Sequence, residues 1–80
     1  MASVKDTVLN YIRAQIVPSR MVESNTRLIS LGFVNSLEMV AVKSYLEAQY
    51  RIQIPDRLAT PEAFDSVDNI VNLLGRLGVR

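Results

Sequence analysis

The sequence predicts a small all-α protein, an antiparallel bundle of three main helices and one short one, in a single domain over residues 1–80. Three observations predict it. Apolar residues recur at helical spacing in three separate stretches. Each stretch opens on a Ser, Asn or Asp that can cap a helix. The one strand-like alternation, Ile52-Gln53-Ile54, has no partner strand, and it reads as packed loop. Eighty residues suffice for one domain. A chain this short buries roughly 60% of its unfolded surface or a little more, so the core is small and the stability margin thin.

The elements follow in order. Ser3 caps a first helix, with Asp6 three residues on, and Val4, Val8, Tyr11, Ile12 and Ile16 form its stripe until Pro18 ends it. Residues 17–35 form a long connection, a length that usually carries function. It has its own apolar anchors in Met21, Val22, Leu28, Ile29, Leu31 and Phe33, and Gly32 permits a conformation most residues resist. The second helix runs from about Ser36 to Tyr50. Thr60 as N-cap and Pro61 at the first position mark a short helix through Phe64. Asp65 or Ser66 caps the last helix, whose stripe is Val67, Ile70, Val71, Leu74 and Leu77. Gly75 and Gly78 predict fraying at its end.

The second helix has two apolar sides. Met39, Val42, Leu46 and Tyr50 cluster on one, flanked by Tyr45 and Gln49, and form the core stripe. Leu37, Val40, Ala41, Ser44 and Ala48 cluster on the opposite side, next to Ser36. A helix buried on one face needs one stripe, so the second predicts a surface for partners. The competing reading covers it with the long connection.

Composition excludes several classes of function. The chain has no cysteine and no histidine, hence no disulfide, no thiolate nucleophile and neither of the commonest general base or metal-ligand side chains. The acids show no metal-loop spacing, and no base stands beside Ser36 to activate it, so neither a metal site nor a serine-hydrolase centre is expected. A hydrophobic share of 49% makes the chain foldable rather than disordered. No apolar run approaches the ~20 residues of a membrane span, and no signal-peptide pattern opens the chain. A cytoplasmic location is therefore expected. Nine basic residues are interleaved with eight acidic ones, so no basic stripe supports nucleic-acid binding.

The most informative stretch is Leu31-Gly32-Phe33-Val34-Asn35-Ser36-Leu37-Glu38. Asn35 is a good N-cap, and Glu38 three residues on completes a capping-box pattern. Ser36 then falls at the first helical position. There the free N–H groups and the helix dipole favour an anion such as a phosphodiester. Downstream come Leu46-Glu47-Ala48-Gln49-Tyr50-Arg51-Ile52-Gln53-Ile54-Pro55-Asp56 and then Thr60-Pro61-Glu62-Ala63-Phe64-Asp65-Ser66-Val67. In this order the chain resembles the acyl carrier and peptidyl (aminoacyl) carrier protein family, whose pattern is Leu-Gly-x-Asp-Ser-Leu, a helix, and an Ile-Pro-(Asp) turn. The resemblance holds in order and spacing over residues 28–56 and, more loosely, over nearly the whole chain. Asn35 stands where the family has an aspartate whose charge helps the modifying transferase recognise its target.

The resemblance implies a non-enzymatic, monomeric carrier with an acyl-carrier-like fold. Ser36 would receive covalent 4′-phosphopantetheine from coenzyme A through a phosphopantetheinyl transferase. An acyl- or aminoacyl-loading ligase or transferase would charge it, and a downstream synthase or transferase would take the cargo. Beside Ser36, the expected partner contacts are Val34, Asn35, Leu37, Val40 and Ala41, with Ile54 lining the entrance to the acyl-binding side. Fatty-acid carriers are usually strongly acidic. A net charge of +1 fits the discrete carriers of aminoacyl or specialised-metabolite pathways better. The alternative is a carrier fold that is never modified, in which Asn35 has abolished recognition and the second stripe binds a protein.

Overall fold

The first helix starts where the sequence places it. Ser3 stands in extended backbone and its hydroxyl accepts the Asp6 N–H at 3.1 Å. This holds for the computed structural model, which describes residues 3–18 and 21–79. Residues 19 and 20 of the long connection lie outside the described residues. Helix α1 spans Val4–Tyr11 and then widens into a π turn over Ile12–Ile16. The Val17 N–H closes that turn on the Ile12 carbonyl at 2.8 Å. Nothing in the helical periodicity signals this widening, and the expected α-helix runs on to Ile16. The extra residue in the turn lets Ile12 and Val17 both enter the core. Pro18 follows and has no N–H to continue the ladder.

Helix α2 occupies Ser36–Tyr50, as the periodicity predicts. It ends on Arg51, which adopts the left-handed conformation (φ 54°) while the Ile52 N–H returns to the Glu47 carbonyl at 3.1 Å. The same Glu47 uses its side chain as well. Its Oε2 accepts the Ile54 N–H at 2.8 Å and ties the extended piece to the helix. A 3₁₀ turn over Asp56–Leu58 comes next.

The expected short helix at Thr60–Phe64 is a hydrogen-bonded turn and not a helix. Thr60 Oγ1 caps it by accepting the Ala63 N–H at 3.2 Å. The Phe64 N–H makes only long bonds, to Thr60 and Pro61 carbonyls at 3.3 and 3.2 Å. Four residues cannot repay the cost of helix nucleation, and burial of Phe64 fixes the segment instead.

Ser66, not Asp65, caps α3 (Val67–Arg76), accepting the Asn69 N–H at 3.1 Å. Its buried stripe is Val67, Ile70, Leu73 and Leu74. Leu73 therefore joins the core, and Val71 and Leu77 lie at its edge. The end of α3 is closed rather than frayed. Gly78, at φ 88°, donates to the Gly75 carbonyl at 3.1 Å, and Val79 donates to Leu74 at 2.9 Å. That double return is a Schellman ending, which needs a residue tolerant of positive φ.

The three α-helices make a small bundle with no strand among the described residues. Helix α1 packs on α3. Tyr11 of α1 stacks on Tyr45 of α2, with centroids 3.7 Å apart and rings 8° from parallel. Burial pushes the Tyr45 phenol up from its ordinary pKa, and the neighbouring Tyr50 and Tyr11 add to the shift. Val42 and Leu46 bring α2 to the same core. Among the described residues no buried side-chain polar atom lacks a partner, which is the condition for a small core to hold.

Leu74 is fully buried in this core. Replacing it by alanine should cost about 2–5 kcal/mol, a large part of the margin of so small a domain. Urea unfolding followed by circular dichroism reads that loss, and a cost below about 1 kcal/mol would mean that the surroundings collapse into the space.

Candidate functional site

The site begins in the long connection, which is ordered by polar contacts at both ends. Arg13 Nε donates to the Val22 carbonyl at 2.6 Å, fastening the first half to the π turn. Thr26 closes a small turn by accepting the Glu23 N–H at 2.9 Å. The connection then crosses the start of α3. The Asp68 N–H donates to the Ser24 carbonyl at 2.9 Å.

Asp65 holds the next turn, residues 28–32. Its Oδ1 accepts the N–H groups of Ile29 and Ser30, both at 2.8 Å. Its Oδ2 accepts the Ser30 hydroxyl at 2.6 Å. The Asp65 backbone carbonyl accepts the Leu28 N–H. The Arg27 guanidinium lies 3.6 Å from Oδ2. The Ser30 hydroxyl bond holds the carboxyl below its ordinary pKa, helped by the two backbone donors and Arg27 against the opposing effect of burial. A lowered carboxylate pKa stabilises the fold above its unfolded value, and this contribution is lost as pH falls through the folded value. The turn is therefore fastened at neutral and mildly acid pH.

From this turn the chain reaches Ser36 in a few residues. Gly32 adopts φ 78° and donates to the Ile29 carbonyl at 3.0 Å. The Val34 N–H donates back to the Leu28 carbonyl at 2.9 Å, closing the loop. Asn35 then caps α2. Its Oδ1 accepts the Glu38 N–H at 2.8 Å, and Glu38 Oε1 accepts the Asn35 N–H at 3.1 Å. This is the reciprocal capping box expected from the spacing.

Ser36 is exposed at the first position of α2. Its own N–H and that of Leu37 belong to the helix's first turn, where no carbonyl within the helix can receive them. They offer an anion on the serine oxygen two donors and the positive end of the dipole. The hydroxyl makes no hydrogen bond with the described residues. Leu37 is 81% exposed and Val40 58%. Ala41, Ser44 and Ala48 are exposed as well. The second stripe of α2 is thus open, and the connection does not cover it.

Two expected contact residues fall elsewhere. Val34 is 3% exposed and Ile54 also 3%, so neither presents a surface to a partner. Val34 plugs the core beneath the loop that its N–H closes. Ile54 is a buried anchor held by Glu47. The spacing before Ser36 also departs from the carrier pattern. Two residues, Phe33 and Val34, separate Gly32 from Asn35, where that pattern has one. Among the expected loop anchors, Val22 and Leu28 are buried, whereas Met21 and Leu31 are exposed. Asp65, Glu47 and Arg13 were missed as organisers of the site. Their partners lie too far along the chain for spacing to signal them, from 7 residues for Glu47 to 36 for Asp65.

Two surface clefts, of about 270 and 230 Å³, open beside α3. Neither is lined by Ser36 or by any residue of α2. Among the described residues no cluster of three metal-ligating side chains exists, and no helix is long and apolar enough to cross a membrane. Comparison of the chain with protein-family models, with curated proteins and with solved structures found no match.

Asn35→Ala removes the cap and orphans the Glu38 N–H. It should cost about 1 kcal/mol of stability, whereas Asn35→Asp should cost nothing, because its carboxylate caps equally well and faces the positive end of the dipole. Chemical denaturation of the two variants side by side checks the pair. Equal losses in both would mean that Asn35 is held by its amide nitrogen and not by the cap.

Proposed function

We propose that the chain is a carrier protein. Ser36 is its attachment point for 4′-phosphopantetheine, and acyl or aminoacyl groups are its cargo. The observation that carries this reading is the placement of Ser36. It is an exposed hydroxyl at the first turn of a fully capped helix, delivered by an ordered loop and bordered by open apolar side chains. The sequence order around it resembles that of the carrier family.

The residues fit the group. Ser36 Oγ is free to form the phosphodiester, which in a transferase's active site would mean a new bond to the β-phosphorus of coenzyme A. The hydroxyl proton would be lost and 3′,5′-ADP would leave. The N–H groups of Ser36 and Leu37 favour the charge left on the chain. When bound, the group supplies a terminal thiol on a flexible arm, able to hold cargo as a thioester. The chain itself has no thiol and no histidine, and its task is to hold and present. A tethered cargo meets each partner's site at a high local concentration. Leu37, Val40 and Ala41, beside the serine, form the face that transferase, loading ligase and downstream synthase would each touch.

A second reading rests on Asn35. Its Oδ1 is engaged in the capping box, and the side chain carries no charge for a transferase to read. In that case the same apolar face binds a partner protein with no modification.

Intact-protein mass after incubation with coenzyme A, magnesium and a broad-specificity phosphopantetheinyl transferase decides between them. Wild type should gain one phosphopantetheine. Ser36→Ala should gain none and should unfold at the wild-type denaturant concentration, because an exposed hydroxyl contributes little to the core. Lack of any gain on wild type with several transferases would favour the interaction module. Asn35→Asp should load faster than wild type, and an unchanged rate would show that the transferase does not read this position.

A further inference from the structure

The Asp65 carboxylate is spent on backbone that belongs to a different part of the chain, and that backbone leads directly to the serine. Three of its four bonds go to residues 29 and 30. The turn they fix holds the Leu28 carbonyl, which in turn receives the Val34 N–H. Val34 is buried, and the next two residues are the cap of α2 and Ser36. The carboxylate's bonds to Ile29 and Ser30 span 36 and 35 residues of chain. The fully buried core residues of α2, Val42 and Leu46, lie roughly two and three turns beyond Ser36, and Met39 packs at the core edge within the first turn. The loop enters that first turn directly through buried Val34 and the cap Asn35.

We infer that Asp65 is a positioning residue for Ser36, a latch at the start of α3 that sets how the loop presents the hydroxyl to the modifying enzyme. The inference rests on the carrier reading for its consequence in modification, and on the geometry alone for its consequence in the loop. The latch is separate from the bundle. Ser66 caps α3 independently, and the apolar stripe of α3 does not use the carboxylate. Loss of the latch should therefore loosen residues 28–38 and leave the three helices folded. The charged groups around the carboxylate are Arg27 on the loop and Asp68 on α3. Asp68 is itself paired with Lys5 of α1 at 3.4 Å.

The test uses Asp65→Asn, Ser30→Ala and, as a control for plain loss of stability, Val8→Ala in the α1 core. Amide hydrogen exchange and transferase kinetics are measured on each and on wild type. In Asp65→Asn the amides of Ile29, Ser30, Val34 and Glu38 should exchange at least about tenfold faster, while those of α3 stay near wild type. The KM for the carrier as transferase substrate should rise about tenfold with kcat little changed, because the enzyme must then order the loop on binding. Ser30→Ala should show the same pattern more weakly, and it serves in its place if Asp65→Asn does not fold. Val8→Ala should keep the wild-type KM.

A second readout is the pH dependence of the Ile29 and Ser30 amide shifts. Wild type should show one transition, below the ordinary carboxylate range, and Asp65→Asn none. Unchanged protection at Val34 and Glu38 in Asp65→Asn overturns the latch, as does an unchanged KM in a variant whose turn is open. A wild type that no transferase modifies overturns the carrier reading instead. The exchange data then decide the latch by themselves.

Discussion

One carboxylate fastens the turn at residues 28–32 that leads into α2. Residues 21–35 have no helix or strand to satisfy their own backbone, and buried backbone donors left without partners are expensive. Asp65 meets that need at the critical point. It receives two amide hydrogens and one hydroxyl from the turn at 28–32, and its own carbonyl takes a further amide. A cationic neighbour and charge-assisted bonds offset the cost of burying it. The result resembles a helix cap supplied in trans. Neighbouring Ser66 caps α3 while Asp65 caps a turn from another region, so two adjacent residues organise two separate elements.

That arrangement explains how a long connection and a small core coexist. A bundle of this length has few apolar residues to spare, and the loop contributes Val17, Val22, Leu28 and Val34 to the same core that the helices line. Each of these residues needs its backbone fixed before its side chain can pack reproducibly. Arg13 at Val22, the Ser24 carbonyl at Asp68 and Asp65 at Ile29 and Ser30 supply that fixing at intervals along the loop. The apolar anchors and the polar fasteners alternate, and neither set would hold the loop without the other.

The parts of this structure that were legible in the sequence are those decided locally. Ser3, Asn35 and Ser66 cap their helices because a cap acts over three residues, and Ser36–Tyr50 emerged with its limits intact for the same reason. The open apolar stripe at Leu37 and Val40 was legible as a departure from one-sided amphipathicity. What failed depended on tertiary context. Val34 was expected at a partner surface because it flanks the serine, and Ile54 because the carrier resemblance places it at the entrance to the acyl-binding side. Their burial is set by where the loop and the extended piece land on the bundle. The π turn at Ile12–Ile16 gives both Ile12 and Val17 a place in the core, and helical periodicity alone would not show it. Thr60–Phe64 has a helix's opening residues without the length to sustain one.

The distinction between local and distant constraints also clarifies Asn35. Everything that the fold asks of this position is met by a neutral amide oxygen in extended backbone, which accepts one N–H and leaves its own N–H to Glu38. An aspartate would meet the same demand, and the helix dipole would favour it slightly. Folding therefore gives no reason to prefer Asn at this position, and on the proposed carrier reading its significance lies in what approaches Ser36 from outside. With Glu38 already drawn into the capping box, an uncharged residue 35 leaves the face formed by Ser36, Leu37 and Val40 less anionic. A partner adapted to this face would rely on apolar contact with Leu37 and Val40 more than on a basic patch, in keeping with the chain's near-neutral charge.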